Sequence, residues 1–220
     1  MSIIAEAMAP CSNCGSRHKI TIYKSINTAQ NPELKDKLKD GSLFIWECPH
    51  CGSKNLAKYE TLYHDPDKKI MIWLMPDGDL SETQMQAISN HAKAIGNYTL
   101  RRVCDTGSLM EKLLIFDAGL DDAVIEMCKF VTKLELGGKN RNEEYIRKLS
   151  ATPLHFFRTE GEDSEKAIIL MYPENNQMNA LKIGMNVYED CQGILYRNPD
   201  IKPSDSFSKI DQDWISSVMK

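Results

Sequence analysis

The chain has 220 residues, 42% of them hydrophobic and 26% charged, with a net charge of −4. That balance excludes a disordered chain and leaves room for one large domain or two small ones. No apolar run approaches the ~20 residues that cross a bilayer, and residues 1–7 lack the basic and apolar regions of a secretory signal.

Charge distribution narrows the class further. Residues 1–76 carry ten Lys/Arg against eight Asp/Glu, and the rest of the chain is acidic. No segment has the dense basic footprint of a strong nucleic-acid binder. Seven cysteines, four of them in two C-x-x-C pairs, point to metal thiolates in a reducing cytoplasm rather than to disulfides. Cys104, Cys128 and Cys191 remain as scattered thiols.

In chain order, the spacing predicts a half-buried strand over 19–26, with Ile20, Ile22 and Ile26 on one face. Asn31 and Pro32 then open a short helix carrying Leu34 and Leu38, which Gly41 closes. A strand over 43–46 runs into the second cysteine pair. Residues 56–64 and 70–75 read as two strands joined by a turn-rich loop. Ser81 with Gln84, and Ser108 with Glu111, have the spacing of capping boxes before two helices, with a strand over 98–103 between them. Asp121 caps the longest helix, whose apolar stripe is Val124, Met127, Val131 and Leu134. The polar, glycine-rich stretch 137–142 reads as a domain boundary. Beyond it come a short helix near 145–149, strands over 153–159, 166–172 and 180–187, and an amphipathic segment over 210–219.

The cysteine pairs read C-S-N-C-G from Cys11 and C-P-H-C-G from Cys48, with 33 residues between Cys14 and Cys48. Each pair sets two sulfurs on one tight turn, and two such turns face to face complete a tetrahedral shell. The glycine after each second cysteine accepts the positive φ that lets backbone amides fold back on the sulfurs. Cys11, Cys14, Cys48 and Cys51 are therefore the expected ligands of one structural zinc ion. Iron in a rubredoxin-like site is the rival, since four thiolates suit both metals. A redox dithiol fits less well, because that motif opens a helix after a buried strand. A closed four-sulfur shell leaves no position for water or substrate, so the metal is structural rather than catalytic.

The two cysteine motifs, the Asn31-Pro32-Glu33-Leu34 helix start and the strand into Cys48-Pro49-His50-Cys51-Gly52 resemble the CpXC domain of bacterial and archaeal proteins. The resemblance continues through Leu62-Tyr63-His64-Asp65, Glu111-Lys112, Ile115-Phe116-Asp117, Gly119-Leu120-Asp121-Asp122 and Ile125-Glu126. It covers residues 8–135 and departs at Ser12, where the family has proline. The resemblance implies a zinc-binding domain of unknown function and brings no catalytic residues.

Other chemistry-bearing residues have plainer readings. His18, His50 and His64 are surface or supporting histidines beside a filled ligand set. Asp65 caps its loop, and Asp121 and Asp122 complement a helix dipole. The aromatics Tyr23, Phe44, Trp46, Tyr59, Tyr63 and Trp73 form either a stacking platform or core and cross-strand pairs. Cys128, on a helix among apolar neighbours, is an inert thiol.

Together these features predict an α+β protein: a zinc-ribbon-like β unit elaborated with helices over 1–137, then a smaller α/β region over 138–220. The expected role is a non-enzymatic cytoplasmic binding or adaptor module for a protein or small-molecule ligand, without membrane contact. Nucleic-acid binding through Arg17, Lys19, Lys24, Lys35, Lys37, Lys39, Lys54 and Lys58, and an enzyme site in a cleft between the two regions, stand as alternatives.

Overall fold

A computed structural model describes residues 2–76, 78, 81–139 and 142–219. Among these residues the chain is mixed α+β, with three sheets and seven α-helices. It forms two compact units, Met1–Met110 with Ser204–Lys209 and Glu111–Pro203 with Ile210–Lys220.

The first unit is built on a five-stranded sheet of β1 (Ile3–Pro10), β2 (Arg17–Asn27), β5 (Thr61–Asp65), β6 (Ile70–Leu74) and β7 (Thr99–Val103), in the order β1-β2-β5-β6-β7. β1 and β2 pair antiparallel from Ile3↔Ser25 to Pro10↔Arg17. β2 meets β5 only through the parallel pairs Ser25↔Leu62, Ile26↔Tyr63 and Asn27↔His64. A separate hairpin of β3 (Ile45–Glu47) and β4 (Lys54–Leu56) carries the second cysteine pair at its turn. Between β2 and β3, α1 (Glu33–Lys39) buries Leu34 and Leu38, and Lys35 Nζ reaches Asp65 Oδ2 at 3.1 Å to tie the helix to β5. The core of this unit holds Ile26, Leu38, Phe44, Tyr63, Ile72 and Leu74, all at most 2% exposed. Such burial is worth about 1.5–3 kcal/mol per large apolar side chain.

α2 (Glu82–Ile95) opens on the expected capping box: Ser81 N–H donates to Gln84 Oε1 at 3.1 Å, and Gln84 N–H to Ser81 Oγ at 3.3 Å. The second expected box does not form. Asp105, not Ser108, caps α3 (Thr106–Asp117), accepting from Ser108 N–H at 2.8 Å. Glu111 is instead turned inward to charged partners.

The second unit packs α4 (Asp122–Gly138), α6 (Met185–Arg197) and α7 (Gln212–Val218) with a sheet of β8 (His155–Glu160), β9 (Ala167–Glu174) and β10 (Gln177–Gly184), ordered β10-β9-β8. Asp121 caps α4 through Ala123 N–H and Val124 N–H, as its position predicts. Gly137 and Gly138 end that helix rather than opening a linker, and Asn142 caps α5 (Glu143–Ala151). The strand expected over 180–187 stops at Gly184 and becomes α6, whose Tyr188 and Cys191 are buried one turn apart.

Three other elements differ from the sequence expectation. β1 was not expected because its inward residues Ala5, Ala7 and Ala9 are too small to give an alternating apolar signal. The run over 56–64 is broken into β4 and β5 at residues 57–60. Residues 42–44 form a single 3-10 turn before β3.

Candidate metal centre and the cleft beside it

The two cysteine turns are built alike. Gly15 N–H donates to Cys11 O at 3.0 Å and Cys11 N–H to Ser16 O at 2.9 Å. Gly52 N–H donates to Cys48 O at 2.8 Å and Cys48 N–H to Ser53 O at 2.9 Å. Gly15 and Gly52 both sit at φ 71°, a left-handed conformation in which any Cβ is strained. Two hairpins thus present the same knuckle, β1–β2 the first and β3–β4 the second.

The knuckles meet. Cys11, Cys14, Cys48 and Cys51 bring their sulfurs within 4.8 Å of one another. Cys11 Sγ lies 3.6 Å from Cys51 Sγ, and Cys14 Sγ 3.7 Å from Cys48 Sγ. Four thiolates about 2.3 Å from one ion form a tetrahedron with edges of about 3.8 Å, so the set fits a single four-coordinate metal. These residues offer the ion four anionic sulfurs and no open position. Among the described residues no other group of His, Cys, Asp or Glu is spaced to hold a metal.

The surrounding donors favour thiolate. Cys51 is drawn down to about 5, first by the Ser53 hydroxyl at 3.3 Å, with Ser53 N–H and the Asn13 side-chain amide adding to it. Cys11 is lowered by the backbone N–H of Cys14 above all. Burial acts the other way on Cys48, raising it to about 11. A bound cation would supply the positive charge that buried thiolates need.

Asn55 joins the knuckles and gave no sequence signal. Its Oδ1 accepts from both Ser12 N–H and Ser12 Oγ–H at 2.8 Å. Its Nδ2 donates to Ser53 O at 2.8 Å and lies 3.6 Å from Cys11 Sγ. Asn55 is 7% exposed, so these bonds are sheltered from water. Proline at position 12 would have no N–H to offer, and serine here supplies both donors.

The profile of the CpXC protein family matches residues 9–129. The chain belongs to that family. No curated protein and no solved structure matches it. The matched stretch contains all four cysteines of the cluster and runs on into α4.

The other candidate residues separate. His64 Nε2 lies 3.0 Å from Tyr98 Oη, and burial lowers its pKa. Asp65 caps its loop by accepting Lys68 N–H at 3.1 Å. The six aromatics form no single platform: Tyr63 is in the core, donating to Asp65 Oδ2 at 3.0 Å, and Trp73 packs edge-on against Phe207. Tyr23, Phe44 and Trp46 do converge. They line a cleft of about 450 Å³ beside the second knuckle, walled by residues 18–21 and 23 of β2 and by residues 42–47. Its volume lies within the ~300–1,000 Å³ usual for ligand sites. Cys128 and Cys191 are buried, and the Cys128 thiol is raised first by the neighbouring Cys191 thiol and then by burial.

Asp122 is not a surface helix-dipole residue. It is fully buried and 2.8 Å from Lys112 Nζ. Lys129, also buried, contacts Glu111 Oε1 at 2.6 Å and Glu126 Oε1 at 2.7 Å. Glu111 Oε2 meets His155 Nδ1 at 3.0 Å, and its Oε1 accepts Phe156 N–H at 2.6 Å.

Proposed function

We propose that the four cysteines bind one zinc ion, and that this ion supports a cytoplasmic binding module of zinc-ribbon type whose ligand site is the cleft beside the second knuckle. The observation that carries the reading is the cleft's position: its two walls run directly out of the two cysteine knuckles. β2 begins three residues after Cys14, and β3 ends one residue before Cys48. An ion closing the knuckles would fix the spacing of the walls. Structural zinc of this kind contributes about 10–16 kcal/mol to folding, comparable to the whole stability of a small domain. Seven free cysteines, four of them needed as thiolates, fit a reducing compartment.

The charge pattern favours this reading over a nucleic-acid interface. Lys19 is paired with Glu6, Lys35 with Asp65 and Lys39 with Asp36, so part of the basic set is already neutralised. Elemental analysis of the purified protein should find one zinc per chain, and a Cys48→Ser variant should lose it. The anionic aromatic dye 8-anilinonaphthalene-1-sulfonate should fluoresce with the loaded protein and much less with a Trp46→Ala variant. No stoichiometric metal, or dye binding indifferent to Trp46, would end the proposal.

A further inference from the structure

The four sulfurs of the cluster are not equivalent. Cys11 and Cys48 are 3% and 1% exposed, whereas Cys14 and Cys51 reach solvent. Cys51 Sγ lies 3.3 Å from Ser53 Oγ and 3.6 Å from Asn13 Nδ2, and Ser53 N–H is directed at it as well. Cys11 has the Asn55 side-chain amide at 3.6 Å and the N–H groups of Asn13 and Cys14. Cys48 has the N–H groups of His50 and Cys51. Cys14 differs from all three. Among the described residues no N–H or O–H donates to its sulfur, whose contacts of this kind are to other sulfurs, Cys48 Sγ at 3.7 Å and Cys51. The space beside it is also open. A side chain begun at Gly15, next to Cys14, would meet no atom within 4 Å, whereas one begun at Gly52, next to Cys51, would come to 4.0 Å from Glu47 Oε1.

These differences decide reactivity. A cysteine that holds a metal does so as thiolate, so loading removes the proton that otherwise masks the sulfur. Each hydrogen bond to a thiolate then draws on the lone pairs that an electrophile would use, and a sulfur without donors keeps them free. Burial protects Cys11 and Cys48. Hydrogen bonds protect Cys51. Cys14 has neither protection.

We propose that Cys14 is a modification site, the nucleophilic sulfur of the cluster, and that it takes an alkyl group from a small carbon electrophile carrying a leaving group. The inference rests on the reading of the cluster as a zinc site and deepens it by naming the sulfur that reacts. A lone pair of the Cys14 sulfur forms the S–C bond, the bond from that carbon to the leaving group breaks, and the leaving group departs as an anion with the bonding pair. The sulfur reacts as thiolate, so no proton is released and no oxidant is needed. The product is a neutral thioether in place of an anionic ligand, which leaves the first knuckle Cys11 alone as a thiolate. β2, which walls the cleft, begins three residues after Cys14, so alkylation there loosens the same wall that the ion holds. The site thereby makes the fold of the knuckles sensitive to alkylating compounds.

The test uses the full-length, zinc-loaded protein carrying Cys104→Ser, which removes the exposed thiol outside the cluster. Iodoacetamide is the electrophile, tandem mass spectrometry reads the initial rate of alkylation at each cysteine, and a chromogenic chelator follows zinc release. Cys14 should be alkylated about tenfold faster than Cys51, with Cys11 and Cys48 slower still, and zinc release should keep pace with Cys14. Ser53→Ala takes one donor from Cys51 without touching Cys14. It should speed alkylation of Cys51 severalfold and leave Cys14 within about twofold of its former rate. Alkylation of Cys51 as fast as Cys14, or faster, would overturn the proposal. So would an unchanged Cys51 rate in Ser53→Ala. Elemental analysis of the same sample separates the two readings. With one zinc per chain present, either result removes only the assignment of Cys14, and with no stoichiometric metal the zinc reading falls as well.

Discussion

Asn55 shows how much one side chain can do at a thiolate centre. Four cysteines gather at one point, and Asn13 Nδ2 reaches from the first hairpin to Cys51 Sγ of the second at 3.6 Å. Asn55 spans them with two bonds from Ser12, one to Ser53 O and a long contact to Cys11 Sγ. Groups that orient metal ligands change affinity by about 10–100-fold when removed. Asn55→Ala should therefore weaken metal binding at the four cysteines by about that factor, read by competition with a chromogenic chelator. Ser12→Ala keeps the N–H donor and should cost much less, whereas Ser12→Pro loses the donor and should approach Asn55→Ala. Equal affinities across the series would show that the knuckles hold the ion without this link.

At the scale of elements, α3, α4 and the start of β8 are joined by charge rather than by apolar contact alone. Burial pushes Glu111 up, but Lys129, His155 and the Phe156 N–H outweigh it and hold the carboxyl at about 2. Glu126 goes the other way, because burial raises it more than Lys129 and Lys112 lower it, and its Oε2 has no hydrogen-bond partner among the described residues. The signs separate in pH. A raised carboxyl favours the protonated native state, so stability contributed by Glu126 grows as pH falls through its folded value toward the ordinary one. A depressed carboxyl contributes fully above its ordinary value, and the Glu111 contribution, about 3 kcal/mol, is lost as pH falls from about 4.5 through about 2. Hydrogen exchange of α4 amides should show protection rising and then falling on acidification. Glu126→Gln should remove the rising limb and Glu111→Gln the falling one. An unchanged profile in both variants would mean that the network is electrostatically idle.

This network also marks where sequence reasoning ended. Gly15, Gly52 and the four cysteines were legible because each position needs one residue type for a local reason: a left-handed turn or a sulfur ligand. Asp121 and the Ser81–Gln84 pair were legible for the same reason, since a helix start is a local event. Glu111 looked like a capping residue because its spacing from Ser108 matched that motif, and only long-range packing turns it toward Lys129 and Phe156. Asn55 had no pattern at all. Its partners lie 43 and 44 residues away at Ser12 and Cys11, a distance no window along the chain can see. The alanines of β1 and the switch from β10 into α6 at Gly184 failed for the matching reason: pairing and burial, not local preference, decide those residues.

For the whole molecule, the consequence of the metal depends on how far its support extends. The chain passes between the two units after Met110, after Pro203 and after Lys209, so each unit draws on distant stretches of sequence. The segment Ser204–Lys209 is held in the first unit at β7, where Arg102 N–H donates to Ser208 O at 3.0 Å and Phe207 packs with Met71 and Leu100. In strand order β7 is the edge opposite β1, and among the described residues the strand pairing of the knuckle hairpins with the remaining sheet is the three parallel pairs between β2 and β5. Loss of about 10–16 kcal/mol from the knuckles should exceed what β1–β4 can supply alone. It should leave β6 and β7 held by Phe207, Met71 and Leu100. Under excess chelator, hydrogen exchange should therefore become fast through β1, β2, β3 and β4, stay slow in β6 and β7, and remain unchanged in α4 and β9. Simultaneous loss of protection in α4 would mean that the two units unfold as one, and that the ion supports far more of the molecule than the hairpins it joins.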